Sequence, residues 1–107
     1  MLLDVTQTLA SLTGEPLTDD KGKPLTLRDV CATALVSPYP DEQHLAGTEK
    51  VKRWELATRI VKQDKVELAA EDVARLKELV GKAWGVVVVG PAWELLDPQP
   101  KLKIAKE

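Results

Sequence analysis

The chain has 107 residues, enough for one domain of ordinary size. Apolar residues make up 44% and charged residues 30%, a balance that supports a packed core and excludes wholesale disorder. A formal net charge of −2 gives no global attraction to nucleic acid or anionic lipid, and a single cysteine, Cys31, excludes an internal disulfide framework.

The first stretch, "MLLDVTQTLASL", lacks the basic start and long apolar centre of a secretory signal. No apolar run approaches the roughly 18 residues that a membrane span needs, so a soluble cytoplasmic protein with no membrane partner is expected. Within that stretch Asp4 and Gln7 are spaced as a capping box, which predicts a short helix ending at Gly14. "EPLTDDKGKPLTL" reads as two short extended pieces around a polar turn at Asp19 to Lys23, with Pro16 and Pro24 restricting the pairing. No internal repeat stands out strongly enough to indicate a solenoid. Thr26 is placed to cap the next helix, Asp29 follows three residues later, and Leu27, Val30, Cys31, Ala34 and Leu35 fall on one face.

"SPYPDEQHLAGT" is a loop, broken by two prolines and a glycine. Thr48 opens a further helix whose apolar side is read as Val51, Trp54, Ala57 and Val61, with Glu55 and Arg59 forming an i,i+4 pair opposite. "QDKVEL" supplies a turn and two or three extended residues, and Leu25 with Val66 is one pairing that would make a β-bridge. The next helix carries the clearest stripe of the chain, Ala69, Val73, Leu76, Val80 and Ala83, flanked by Leu79 and Trp84 and ended by Gly81 and Gly85. "GVVVVGPAWELLD" follows. A helix over 86–96 is preferred to a strand at 86–89, with Gly90, Glu94, Val87 and Pro91 on the exposed arc. A short basic, flexible tail is expected over 98–107. The predicted architecture is one mainly α domain (α+β minor) over 1–97, of four to five short helices in one core with a small β-hairpin or β-bridge.

Several chemistries lack the residues they need. Aligning Gly22 with the sixth position of a calcium loop puts Lys21 and Arg28 at ligand positions, where they would repel the ion. "VVVVGPAW" has neither the Lys nor the Ser/Thr of a phosphate loop, and Pro91 removes a backbone donor. The single histidine, His44, and the single cysteine, on an apolar helix face, offer neither a metal set nor a convincing nucleophile–base pair. No catalytic residue, metal or cofactor is therefore expected. Lys50, Lys52, Arg53, Arg59 and Lys62 concentrate five cations within thirteen residues, but they scatter around the helix and alternate with Glu49 and Glu55. Of three tryptophans, Trp54 and Trp84 are expected in the core, and Trp93 is a candidate interface anchor together with Val87 and Glu94.

The order of "GEPLTDDKGKPLTLRDV", "KVKRWELATRIVKQDKVELAAEDVARLKELVGKAW" and "VVVVGPAWELLD" resembles small uncharacterised proteins of tailed bacteriophages and prophages, over residues 4–97. The resemblance implies a last helix that starts in the valine run, and it carries no functional residues. It implies a protein-binding accessory factor, acting in the bacterial cytoplasm on a host or phage protein, as an inhibitor of host machinery or defence. A second copy of the chain is a further candidate partner. The alternatives are a small nucleic-acid-associated regulator using the Lys50–Lys62 helix and the basic tail, and a phage assembly factor.

Overall fold

The computed structural model describes residues 2–96; the tail expected over 98–107 lies outside them. In chain order the elements are β1 (Leu2–Asp4), α1 (Leu27–Val36), a 3-10 turn (Pro40–Glu42), α2 (Gly47–Lys62), β2 (Lys65–Glu67), α3 (Ala70–Ala83) and α4 (Val86–Leu96). The fold is mainly α with a small antiparallel sheet, as expected. α1 lies between α2 and α3, and α4 packs on α3 and touches α1. The core is built from leucine, valine, isoleucine, alanine and Cys31, and among the described residues no polar or charged residue is buried.

The helix expected after Asp4 does not form. The Asp4 carboxylate instead accepts the Thr6 amide at 2.9 Å, and the Gln7 side chain donates to the Asp4 carbonyl at 2.8 Å. The chain then runs extended through a device with an eight-residue period. Residues 8–15, "TLASLTGE", and 16–23, "PLTDDKGK", each place a leucine second and a glycine seventh, and "PLT" begins a third unit at Pro24. The backbone repeats accordingly. Ser11 donates to the Glu15 carbonyl as Asp19 does to that of Lys23, and Gly14 donates back to Ser11 as Gly22 does to Asp19. Gly14 and Gly22 take φ of 90° and 80°, a region that side chains disfavour.

The three leucines close a ring. Leu9 donates to Leu25 at 3.0 Å, Leu25 to Leu17 at 2.8 Å and Leu17 to Leu9 at 2.9 Å. Each uses both its backbone groups, so a segment with no regular strand leaves none of these six groups unpaired. This ring displaces the expected Leu25–Val66 bridge: Val66 pairs with Leu3, and both side chains are buried.

α1 follows its sequence closely. Thr26 and Asp29 form a reciprocal capping box, and Leu27, Val30, Cys31, Ala34 and Leu35 are all buried. Arg28, on its first turn, reaches across to the end of α2. It donates to the carbonyls of Ile60 and Gln63 at 3.0 and 3.1 Å and to the Asp64 carboxylate at 2.7 Å. A guanidinium there satisfies carbonyls that have no helical donor and lies at the negative end of the α2 dipole.

α2 begins at Gly47 after Ala46, without a side-chain cap at Thr48, and its inward face is not the one expected. Leu56, Ala57 and Ile60 are buried, whereas Val51, Trp54 and Val61 are exposed. The inward stripe starts with two charged residues, Glu49 and Arg53. Their partners are Arg75 on α3, at 3.2 Å, and Glu42 in the preceding loop, at 2.5 Å. Paired charges therefore occupy positions that a hydrophobicity reading assigns to solvent. Trp54, expected in the core, is 67% exposed. Arg59 donates to the Glu67 carbonyl, taking it toward β2.

α3 buries Leu76, Leu79 and Val80, with Val73, Ala83 and Trp84 half-buried beside them. Gly81 lies within this helix, which runs on to Ala83. The Trp84 indole donates to the Val30 carbonyl at 3.2 Å, tying the end of α3 to α1.

Candidate functional site

The valine run is the first part of α4, continuous through Pro91. Two features make that proline tolerable. The preceding Gly90 has no Cβ to clash with the pyrrolidine ring, and the Val87 carbonyl, deprived of its helical donor, belongs to a residue open to water. Only Ala92 and Leu96 are fully buried, with Val88, Val89 and Leu95 half-buried around them.

The outward arc carries what the core does not take. Val86 is 88% exposed, Val87 58% and Trp93 40%, with Gly90 and Glu94 open between them. Trp93 is nonetheless fixed: its indole N–H donates to the Lys77 carbonyl at 3.0 Å, and the Lys77 ammonium stands 4.8 Å from the ring centroid. Leu12, at the tip of the first eight-residue turn, is fully exposed. A groove of about 380 Å³ runs between that turn and α4, lined by Leu12, Val86, Val87, Gly90, Pro91 and Glu94 among others. The three residues expected at an interface, Val87, Trp93 and Glu94, thus share one solvent-facing helix surface. Leu12 and Val86 complete the patch; the exposed turn that presents Leu12 is marked in sequence by the eight-residue spacing.

A second exposed surface lies on α2. Val51, Trp54 and Val61 follow one another at helical spacing, and Trp54 also walls a larger cavity of about 580 Å³ shared with the end of α1 and the loop after it. Ion pairs from two helices fix that loop. Arg53 holds Glu42 through both terminal nitrogens, at 2.7 and 2.5 Å, and Lys82 on α3 holds Asp41 at 3.0 Å. The hydrogen bond from Arg53 holds the Glu42 carboxyl below its ordinary range, and that from Lys82 does the same for Asp41. Tyr39 sits between these cations and donates to the Ala34 carbonyl at 2.5 Å; burial raises its phenol.

The five candidate nucleic-acid contacts do not form one stripe. Arg53 is only 11% exposed and taken up by Glu42, Arg59 is engaged with Glu67, and Lys50 and Lys52 point about 200° apart around the helix. Cys31 is fully buried among apolar neighbours, which push its thiol up to about 12 and keep it from acting as a nucleophile. Among the described residues no group of three or more His, Cys, Asp or Glu side chains converges as a metal site. None of the described helices is long and apolar enough to cross a membrane.

Comparison of the chain with protein-family models, with curated proteins and with solved structures returned no match.

Proposed function

We propose that this protein is a non-enzymatic binding factor that docks another protein on the outer face of α4. The observation that carries this reading is the exposure of Val86 and Val87 beside a half-exposed Trp93, continuous with Leu12 across the groove. Desolvating such a patch is favourable at about 25 cal/mol per Å² of apolar surface, and a tryptophan already held in one orientation loses little entropy on binding. The phage-like order of motifs supports a bacterial host protein as the partner, with the cytoplasm as the setting and occlusion as the mode of action.

Val87→Asp tests the proposal, because it places a charge in the groove without touching the core. The variant retains the wild-type melting temperature and loses the partner that the wild-type protein holds in a nuclease-treated lysate at high salt. Self-association abolished by the same substitution identifies the partner as a second copy. Equal retention of the same partner by both proteins overturns the α4 assignment. Retention that needs nucleic acid and falls steeply with salt overturns protein binding as the function.

A further inference from the structure

α2 presents a surface of different chemistry from that of α4. Its outward side is an apolar stripe of Val51, Trp54 and Val61, in which Thr58 fills the one remaining helical position. Lys50 borders the stripe on one side, and Lys62 lies on the other, with Lys52 further round and Glu55 between them. All three lysines are exposed and none forms an ion pair among the described residues. Glu55 is the single exposed acid on the same side of the helix. The other cations of α2 are engaged, Arg53 by Glu42 and Arg59 by the Glu67 carbonyl. The surface is thus apolar along its centre and positive along its borders.

The 580 Å³ cavity opens at one end of this stripe. Trp54, Val36, Pro38 and Leu45 contribute to its walls, and Lys50, without an ion pair among the described residues, lines it. A cavity of that size holds one or two large apolar side chains. The Arg53–Glu42 pair fixes the loop that carries Pro38 and Leu45, so the walls are in place before anything enters.

We infer that α2 and this cavity receive an acidic amphipathic helix of a partner protein, on a surface separate from that of α4. The 3- and 4-residue spacings of Val51, Trp54, Thr58 and Val61 form a ridge that interlocks with a helix of matching periodicity. One apolar side chain of the incoming helix enters the cavity, and another, two turns away, lies along Trp54 and Val61. Carboxylates on its borders meet Lys50 and Lys62. The aliphatic Val51 and Val61 offer no stacking face for bases, and the lysines do not line up along a phosphate path, so nucleic acid fits this surface poorly.

Fluorescence anisotropy with two labelled synthetic peptides tests the inference on the full chain. Both are amphipathic helices with leucine at the same positions; one carries glutamates on its borders and the other lysines. The glutamate peptide binds at least about tenfold tighter, and raising the salt concentration narrows the difference. Trp54→Ala weakens its binding about tenfold, whereas Val87→Asp on α4 leaves it unchanged. Lys50→Glu combined with Lys62→Glu reverses the preference between the two peptides. Circular dichroism of each variant confirms the fold, and Val61→Asp repeats the loss should Trp54→Ala be unfolded. Equal affinity for both peptides, no binding of either, or tighter binding of a single-stranded oligonucleotide than of the glutamate peptide overturns the inference.

Discussion

The indole N–H of Trp93 donates to the carbonyl of Lys77 at 3.0 Å while the Lys77 ammonium stands 4.8 Å from the centroid of the same ring. α3 thus holds, by one backbone group and one side chain, an aromatic residue of α4 that the core leaves 40% exposed. A side chain oriented by its own protein, yet open to solvent, has the properties of an interface anchor.

This arrangement sets an intermediate cost for losing the ring. Trp93→Ala is expected to destabilise the fold by about 2–3 kcal/mol, from the buried part of the ring together with a hydrogen bond and a cation–π contact. Leu76→Ala, in the fully buried stripe of α3, is expected to cost about 2–5 kcal/mol. Gly81→Ala works in the opposite direction. Its new Cβ meets Trp93 Cζ2 at 3.6 Å, an ordinary contact, so the better helix propensity raises stability by about 0.5–1 kcal/mol. Urea unfolding of the three variants checks the order.

Arg28 joins the start of α1 to the end of α2 through two carbonyls and one carboxylate. Arg28→Ala is expected to cost about 2 kcal/mol, chiefly from the carbonyls left without donors. The exposed Asp64 adds little, so Asp64→Asn is expected to change stability by less than about 1 kcal/mol. Arg28→Lys recovers only part of the loss, because a single ammonium cannot span the three acceptors of the planar fork. Melting temperatures of the three variants test this.

Stability is expected to fall at both ends of the pH scale, for different reasons. Asp41 and Glu42 are held below their ordinary values of 3.8 and 4.5. Their contribution is therefore complete above those values and lost as pH falls through the lower, folded ones. Glu42→Gln should flatten this acid limb. Cys31 has the opposite sign: its thiol is raised from 9.0 to about 12, so the contribution is complete below 9.0 and lost as pH rises toward about 12. Cys31→Ala should remove that part of the alkaline limb, with the rise of the Tyr39 phenol left in place. Chemical denaturation across the pH range measures both limbs.

α1 was legible in the sequence because capping, periodicity and burial agree there from the Thr26–Asp29 box to Leu35. α3 was legible because its stripe from Val73 to Val80 faces inward, although Ala69 at the head of the expected stripe is exposed. α2 was legible as a helix but its orientation was not. Arg53 and Glu49 face inward with partners brought by Glu42 and Arg75, and no local pattern announces partners eleven and twenty-six residues away. Hence Trp54, apolar and well spaced, read as core. The start of the chain failed for a related reason. Asp4 and Gln7 have the spacing of a cap, but the ring of Leu9, Leu17 and Leu25 satisfies the following backbone through non-local bonds. The α4 patch was partly visible: Val87 and Glu94 follow from periodicity and Trp93 from the preference of tryptophan for interfaces, whereas Val86 and Leu12 join them only through the fold.

Site-specific photo-crosslinking from position 87 in bacterial cells is the most direct test of binding through the α4 face. A crosslinking residue at Val87 is expected to yield one discrete protein adduct, repeated from Glu94 and absent from Glu71, an exposed position on the first turn of α3. The absence of an adduct above the Glu71 background, or adducts that carry nucleic acid instead of protein, would contradict it.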